Sequence, residues 1–215
     1  PVITNTSAVS FDFRFSAYGT NYVAEVDTDT GSSSDNSHVV INGAVAMAGG
    51  LPMSEAGEVP ASIGGLPDEL WDNWDSLGIT EDGDWLVTGD TDAATDQDEF
   101  LLVNGEIVLR EGGDVDGMTL SGGIERAFLG ESGDWAAVWD VELTEGTVEA
   151  LILNGTVVLM EGMPVDIDGD LVADPGTMIN DFTGIAALAV ADRTPGGGLK
   201  ILTTADIELP DGRLD

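Results

Sequence analysis

The sequence predicts an all-β fold of the propeller type, four four-stranded antiparallel blades of roughly 50 residues forming one domain over 1–215. Two observations predict it. An apolar run, an Asn-Gly pair and a second apolar run occur three times, as VVINGAVAMA at 39–48, LLVNGEIVLR at 101–110 and LILNGTVVLM at 151–160. Asn-Gly suits a two-residue hairpin turn because both central positions need positive φ, which glycine adopts freely and asparagine better than most. The second observation is register. Asn104 and Asn154 stand 50 residues apart, and the same step carries ITEDGDWLV at 79 onto LGESGDWAA at 129 and INDFTGIAA at 179, and REGGDV at 110 onto MEGMPV at 160.

The units run over about 1–53, 77–126, 127–176 and 177–215, with an insertion at 54–76. Each reads as a short strand near the position of Ile79, a second strand at DWLVTGD, and the two arms of the hairpin, separated by Gly, Asp and Asn turns. In the first unit ITNTSAVSF at 3–11 takes the place of ITEDGDWLV, and the loop DTDTGSSSDNS stretches the copy. Trp85 and Trp135 sit one repeat apart, with apolar Val9 and Ile185 assigned as their equivalents, which marks both tryptophans as core between blades. In the last unit LKILTTADIEL puts Thr204-Ala205 where the others have Asn-Gly, so its hairpin turn is expected to be built differently. The insertion ends in LPDELWDNWDSLG, where Pro67 at the start, Gly78 at the end and Leu70, Trp74 and Leu77 on one stripe predict a helical turn, with Trp71 off the stripe. It would pack as a lid on the propeller, or present Trp71 and Trp74 to a partner chain or a glycan.

Composition narrows the partners. The chain carries 41 acidic and 6 basic side chains, a formal net charge of -35 with a single lysine, Lys200. Such a surface repels nucleic acid and anionic membranes and favours divalent cations and cationic partners, in salty or calcium-rich surroundings that screen the self-repulsion. The absence of cysteine removes disulfides and thiol chemistry and leaves the redox compartment open. No apolar run reaches the length of a membrane span, and the opening PVITNTSAVSF reads as a mature or trimmed product of a longer precursor.

The repeat resembles the degenerate bacterial tandem repeats of the Asn-x-x-Gly-x-x-Ala-Phe type, found in secreted or surface-anchored, propeller-like proteins. Position by position, the asparagine falls on Thr4, Thr80, Gly130 and Asn180 and the glycine on Ser7, Gly83, Gly133 and Thr183. The Ala-Phe pair falls on Ser10-Phe11, Leu86-Val87, Ala136-Ala137 and Ala186-Ala187. What the resemblance implies is architecture and a secreted, cell-surface or periplasmic setting; it transfers no catalytic residue.

Chemistry of the chain's own is sparse. His38 is the only histidine and reads as an ordinary strand histidine, which leaves Ser-His-Asp catalysis, zinc and haem short of groups. DIDGDLVAD places Asp166, Asp168, Asp170 and Asp174 at loop positions 1, 3, 5 and 9 around Gly169, a spacing resembling extracellular Asp-x-Asp-Gly-Asp calcium loops. It lacks the EF-hand glycine at position six and the closing glutamate. A weaker second cluster is Asp90, Asp92, Asp96 and Asp98. The expected function is therefore a non-catalytic extracellular or periplasmic binding and scaffolding propeller, a subunit of a larger surface assembly or a homo-oligomer, stabilised by calcium. The alternative is a carbohydrate-active hydrolase with channel carboxylates.

Overall fold

The computed structural model describes residues 13–27, 37–49, 69–182, 188–191 and 199–212. They are all-β, with no helix among them. The first sheet is an antiparallel meander of β1 (Phe13–Phe15), β2 (Tyr22–Asp27), β3 (Ser37–Ile41) and β4 (Ala44–Ala48). The second repeats that order with β5 (Trp71–Ile79), β6 (Trp85–Thr91), β7 (Glu99–Val103) and β8 (Glu106–Arg110). The third adds the short β9 (Asp114–Val115) to β10 (Met118–Leu129), β11 (Trp135–Leu143), β12 (Gly146–Leu153) and β13 (Thr156–Met160). The last has β14 (Met178–Asp181), β15 (Leu188–Ala191), β16 (Lys200–Thr203) and β17 (Asp206–Glu208).

The three hairpins close as the Asn-Gly pairs predict, with positive φ at both central residues: 49° and 85° at Asn42-Gly43, 52° and 83° at Asn104-Gly105, 49° and 82° at Asn154-Gly155. Asparagine does more here than tolerate the angle. Asn104 Oδ1 accepts the Trp85 N–H at 2.9 Å and its Nδ2 donates to Asp84 at 2.8 Å. Asn154 repeats both bonds on Trp135 and Asp134, and Asn42 repeats them on Tyr22 and Asn21. Each hairpin turn is thus clasped to the head of the unit's second strand, which explains the Gly-Asp-Trp phrase that precedes it.

Successive sheets stack face to face through three apolar cores. Val23, Val39 and Met47 of the first sheet meet Trp71, Trp74, Val87, Phe100 and Leu102 of the second. Leu86, Leu101 and Leu109, on the second sheet's other face, meet Trp135, Ala137, Trp139 and Ile152 of the third. Ala136, Val138 and Leu151 then meet Ile179, Phe182, Leu188 and Val190. Alternation along a central strand is what allows one sheet to serve two cores. One cross-strand pair shows how volume is shared: Trp74 faces Gly89 in the second sheet, and Ile124 faces Trp139 at the same repeat position in the third. The bulky residue has moved to the other strand. A Cβ on Gly89 would lie 2.0 Å from the Asn73 carbonyl oxygen, so that residue cannot carry a side chain without displacing β5.

Three expectations are corrected. The predicted helix of 67–78 is instead β5, over its described part. Register shifts between Trp71 and Asn73 and between Trp74 and Ser76 insert extra residues, so Trp71, Trp74, Leu77 and Ile79 all reach one core at a spacing that imitates a helix. In the first unit the equivalent of Trp85 is Tyr22, not Val9: Ser16, Gly19 and Asn21 make the turn that Thr80, Gly83 and Asp84 make in the second. In the fourth unit Thr204-Ala205 is not a hairpin turn, because both described pieces of 178–191 pair with 200–208, Ile179 with Ile207 and Val190 with Ile201. That pairing matches Leu120 with Val141, so ILTTAD at 201–206 corresponds to WAAVWD at 135–140, a step of 66 residues. Residues 3–11 with the motif positions Thr4, Ser7, Val9 and Ser10-Phe11, residues 54–68 of the insertion, and Thr183, Ile185 and Ala186-Ala187 lie outside the described residues.

Candidate functional site

The first strands of the three full sheets, β1, β5 and β10, lie side by side around a cavity of about 610 Å³. Phe15, Leu77, Phe128 and Leu188 give it apolar walls, and Arg14, Arg126, Glu125 and Glu131 bring charge to it. Two of the chain's 6 basic side chains therefore line one cavity in a molecule of net charge -35. At its edge the turns of neighbouring units are tied by carboxylates. Glu131 accepts the Glu81 N–H at 2.8 Å and the Ala17 N–H at 3.3 Å, and Glu81 accepts from Tyr18 N–H and Thr20 Oγ1. Hydrogen bonds from the Ser16 and Thr20 hydroxyls and the Tyr18 N–H hold the Glu81 carboxyl below its usual range.

Two further carboxylate groups sit where one sheet passes to the next. Asp75, Asp90 and Glu99 form the first, and Glu149, Glu161 and Asp181 the second, each with oxygens within 4.8 Å of one another. Glu99 accepts the Ile124 N–H of the following sheet at 3.0 Å, and Glu149 accepts the Phe182 N–H. Burial, reinforced by the charge of Asp90, pushes Glu99 up to about 8 despite the Ile124 bond. Burial and Asp181 push Glu149 to about 7. Burial, with Asp98, Glu125 and Asp181 respectively as charged neighbours, also raises Glu111, Asp140 and Glu161. The acids, though not the two groups, recur at a fixed step: Asp75 and Glu125, Asp90 and Asp140, Glu99 and Glu149, and Glu111 and Glu161 are all 50 residues apart.

Of the predicted calcium residues, the structure brings Asp166, Asp168 and Asp174 within 4.8 Å of one another, and Asp170 is outside that group. Asp166 accepts N–H bonds from Gly169 at 2.7 Å and Leu171 at 2.6 Å, which hold its carboxyl below its usual range. Asp174 accepts the Ile167 N–H at 2.9 Å. Asp170 turns instead to the Val172 N–H at 2.8 Å. The second predicted cluster does not assemble. Asp90 joins Asp75 and Glu99, Asp92 accepts the Leu70 N–H at 2.8 Å, Asp98 lies against Glu111, and Asp96 is an exposed turn residue.

Trp71 and Trp74 are not exposed anchors. They are 0% and 5% exposed and pack on each other and on Phe100, with ring centroids 5.0 to 6.2 Å apart, because the bulged β5 turns both into the first core. His38 lies in β3, half-buried, with Nδ1 2.8 Å from the Ser37 carbonyl. The sequence reading missed the interfacial acids and the two arginines; the 50-residue recurrence of the acids was visible, whereas nothing in local pattern brings Arg14 to Arg126. Comparison with protein-family models, with curated proteins and with solved structures finds no match.

Proposed function

We propose that the chain is a propeller-type binding and scaffolding module that works outside the cytoplasm as part of a larger surface assembly. The observation that carries this reading is the serial stacking of repeat units with their first strands gathered round one cavity, joined by carboxylates that accept main-chain N–H groups of the neighbouring unit. Acids used in that way hold blades together. The fourth unit leaves the ring open to completion: Leu202 is 63% exposed, whereas Leu86 and Ala136 at its repeat position are 1% and 0% exposed under the next sheet. In a closed four-blade ring the first sheet covers Leu202; in an arc a further subunit does. Calcium in the 166–174 loop is part of the proposal, since three carboxylates that converge in a chain of net charge -35 repel one another and a divalent ion reverses the sign of that interaction. Among the described residues no helix is long and apolar enough to cross a membrane.

One observation favours a second reading, carbohydrate hydrolysis: Glu99, pushed up to about 8, is a protonated acid beside two further carboxylates, the pairing that glycoside hydrolysis uses. Against it, Asp75, Asp90 and Glu99 lie between sheets and none of them lines the cavity. Small-angle scattering with solution mass tests the architecture, and an extended or two-lobed particle refutes it. A polysaccharide hydrolysis screen separates the two functions, because turnover that disappears in Glu99→Gln replaces the scaffolding reading with the enzymatic one.

A further inference from the structure

The three hairpin turns share a backbone but differ in the group that holds the asparagine. At Asn42, Asn104 and Asn154 φ is 49°, 52° and 49°, and at the glycines that follow it is 85°, 83° and 82°. In each turn Oδ1 accepts the N–H at the head of the second strand at 2.9 Å. Nδ2 donates to a carboxylate at 2.8 Å in the second and third units, Asp84 and Asp134, but to the amide oxygen of Asn21 at 3.0 Å in the first. A bond to a carboxylate is shorter and stronger than one to a neutral oxygen. The glycines differ as well: Gly43 is exposed, whereas Gly105 and Gly155 are half-buried.

An Asn-Gly pair carries its own nucleophile and electrophile. The glycine nitrogen, on losing its proton, bonds the asparagine Cγ, and the side-chain amino group leaves as ammonia. Water then opens the cyclic imide to aspartate or, with the main chain rerouted through Cγ, to isoaspartate. Closure expels the very Nδ2 group that clasps the turn, so the bond it donates must be given up on the way. A neighbouring carboxylate adds a second obstacle, because it disfavours the anionic nitrogen that attacks.

We propose that Asn42 is a site of spontaneous conversion to aspartate and isoaspartate, and that the Asp84 and Asp134 clasps protect Asn104 and Asn154 from the same reaction. The consequence crosses a unit boundary. Asn21 turns its oxygen to Asn42 while its own Nδ2 donates to the Thr80 and Glu81 carbonyls of the second unit, at 3.1 and 2.8 Å. A carboxylate at position 42 faces that oxygen with no proton between them. Turning the Asn21 amide to relieve the clash breaks both bonds to the second unit.

The full chain is held at pH 8.5, native and in urea, and ammonia loss is located by mass spectrometry of proteolytic peptides. In the native chain Asn42 is expected to convert about five- to tenfold faster than Asn104 and Asn154, the factor that a charge-assisted bond adds over a neutral one. In urea the three rates are expected to converge. Asp84→Asn gives the second turn the neutral partner of the first, and is expected to speed Asn104 by the same factor while Asn154, the internal control for the fold, keeps its rate. Chain converted at position 42, separated by ion exchange, is expected to show faster hydrogen exchange at Gly83, whose N–H shares the Thr80 carbonyl with Asn21. The proposal is overturned if Asn42 stays intact while the chain in urea converts, or if Asn104 or Asn154 keeps pace with it in the native chain. It is overturned equally if the native order of rates survives in urea, or if Asp84→Asn leaves Asn104 at the parent rate.

Discussion

Glu99→Gln is expected to raise stability at pH 8 and to leave it unchanged near pH 5. The carboxyl titrates at about 8 in the folded chain against 4.5 for an ordinary glutamate, chiefly because it is buried between the second and third sheets and Asp90 stands beside it. Between those two values the unfolded chain has released a proton that the folded chain still holds, so stability is complete below 4.5 and is lost as pH climbs to about 8. At about 1.4 kcal/mol per pH unit the whole interval corresponds to about 5 kcal/mol. Glu99 keeps partial contact with water, and screening reduces the effect to about 1–2 kcal/mol. In a chain of this size that is about 2–8 °C in melting temperature. Glutamine retains a carbonyl oxygen for the Ile124 N–H and carries no charge at any pH. Thermal melts of both proteins from pH 5 to pH 8.5 measure the difference, with Glu106→Gln, at an exposed hairpin position, as control. The reasoning is refuted if Glu99→Gln melts below the parent at pH 8, or if the parent gains stability as pH rises through that window. Glu81 and Asp166, whose carboxyls are held low, act in the opposite sense and only below about pH 4.5, outside the window.

Asn154→Ala removes an acceptor from Trp135 N–H and a donor from Asp134 and is expected to cost about 1–3 kcal/mol in chemical denaturation, whereas Val158→Thr on the neighbouring exposed strand is expected to cost less than about 0.5 kcal/mol. Gly89→Ala is expected to abolish the cooperative transition or lower its midpoint severely, since its Cβ would lie 2.0 Å from Asn73 O; a near-neutral effect would contradict the packing of β5 on β6. With free calcium a hundredfold above its Kd, stability is expected to rise by about 2.7 kcal/mol, magnesium at equal ionic strength is expected to give much less, and Asp168→Ala is expected to remove the difference. Equal effects of the two ions would exclude a calcium site at 166–174.

The parts legible in the sequence were those set by local chemistry. Asn-Gly fixes a turn whatever surrounds it, and the step from Asn104 to Asn154 placed the second and third units in register. Errors arose where tertiary structure overrode local pattern. Two bulges in β5 gave a strand the spacing of a helix, and the fourth unit could not be aligned by a fixed step because its offset from the third is already 59 residues where Met178 takes the place of Thr119 and grows to 66 where Lys200 takes the place of Asp134. Of the candidate sites, the loop at 166–174 was readable because its ligands are close in sequence. The groups at Glu99 and Glu149 were not, since each joins positions from several strands.

These placements bear on how a chain with 41 acids and 6 bases folds at all. Pairing acid with base, as in the buried ion pair of Arg110 with Glu69, can serve only a few of them. The partner in ample supply is the main-chain N–H, and it is used at every level of the structure: within a loop at Asp166, between turns at Glu131, between sheets at Glu99 and Glu149. A carboxylate bound by hydroxyl and N–H groups at an exposed turn is favoured in its ionised form, whereas one enclosed between sheets is favoured protonated, and the opposite displacements of Glu81 and Glu99 follow from that difference in hydrogen bonding and burial. Neutralising the acids between sheets should therefore stabilise the molecule, and neutralising those at the turns should loosen it. Glu131→Gln and Glu99→Gln, alike in charge change and opposite in setting, are expected to shift the melting temperature at pH 8 in opposite directions, and shifts of the same sign would mean that bulk charge, and not the main-chain contacts, governs the stability of this fold.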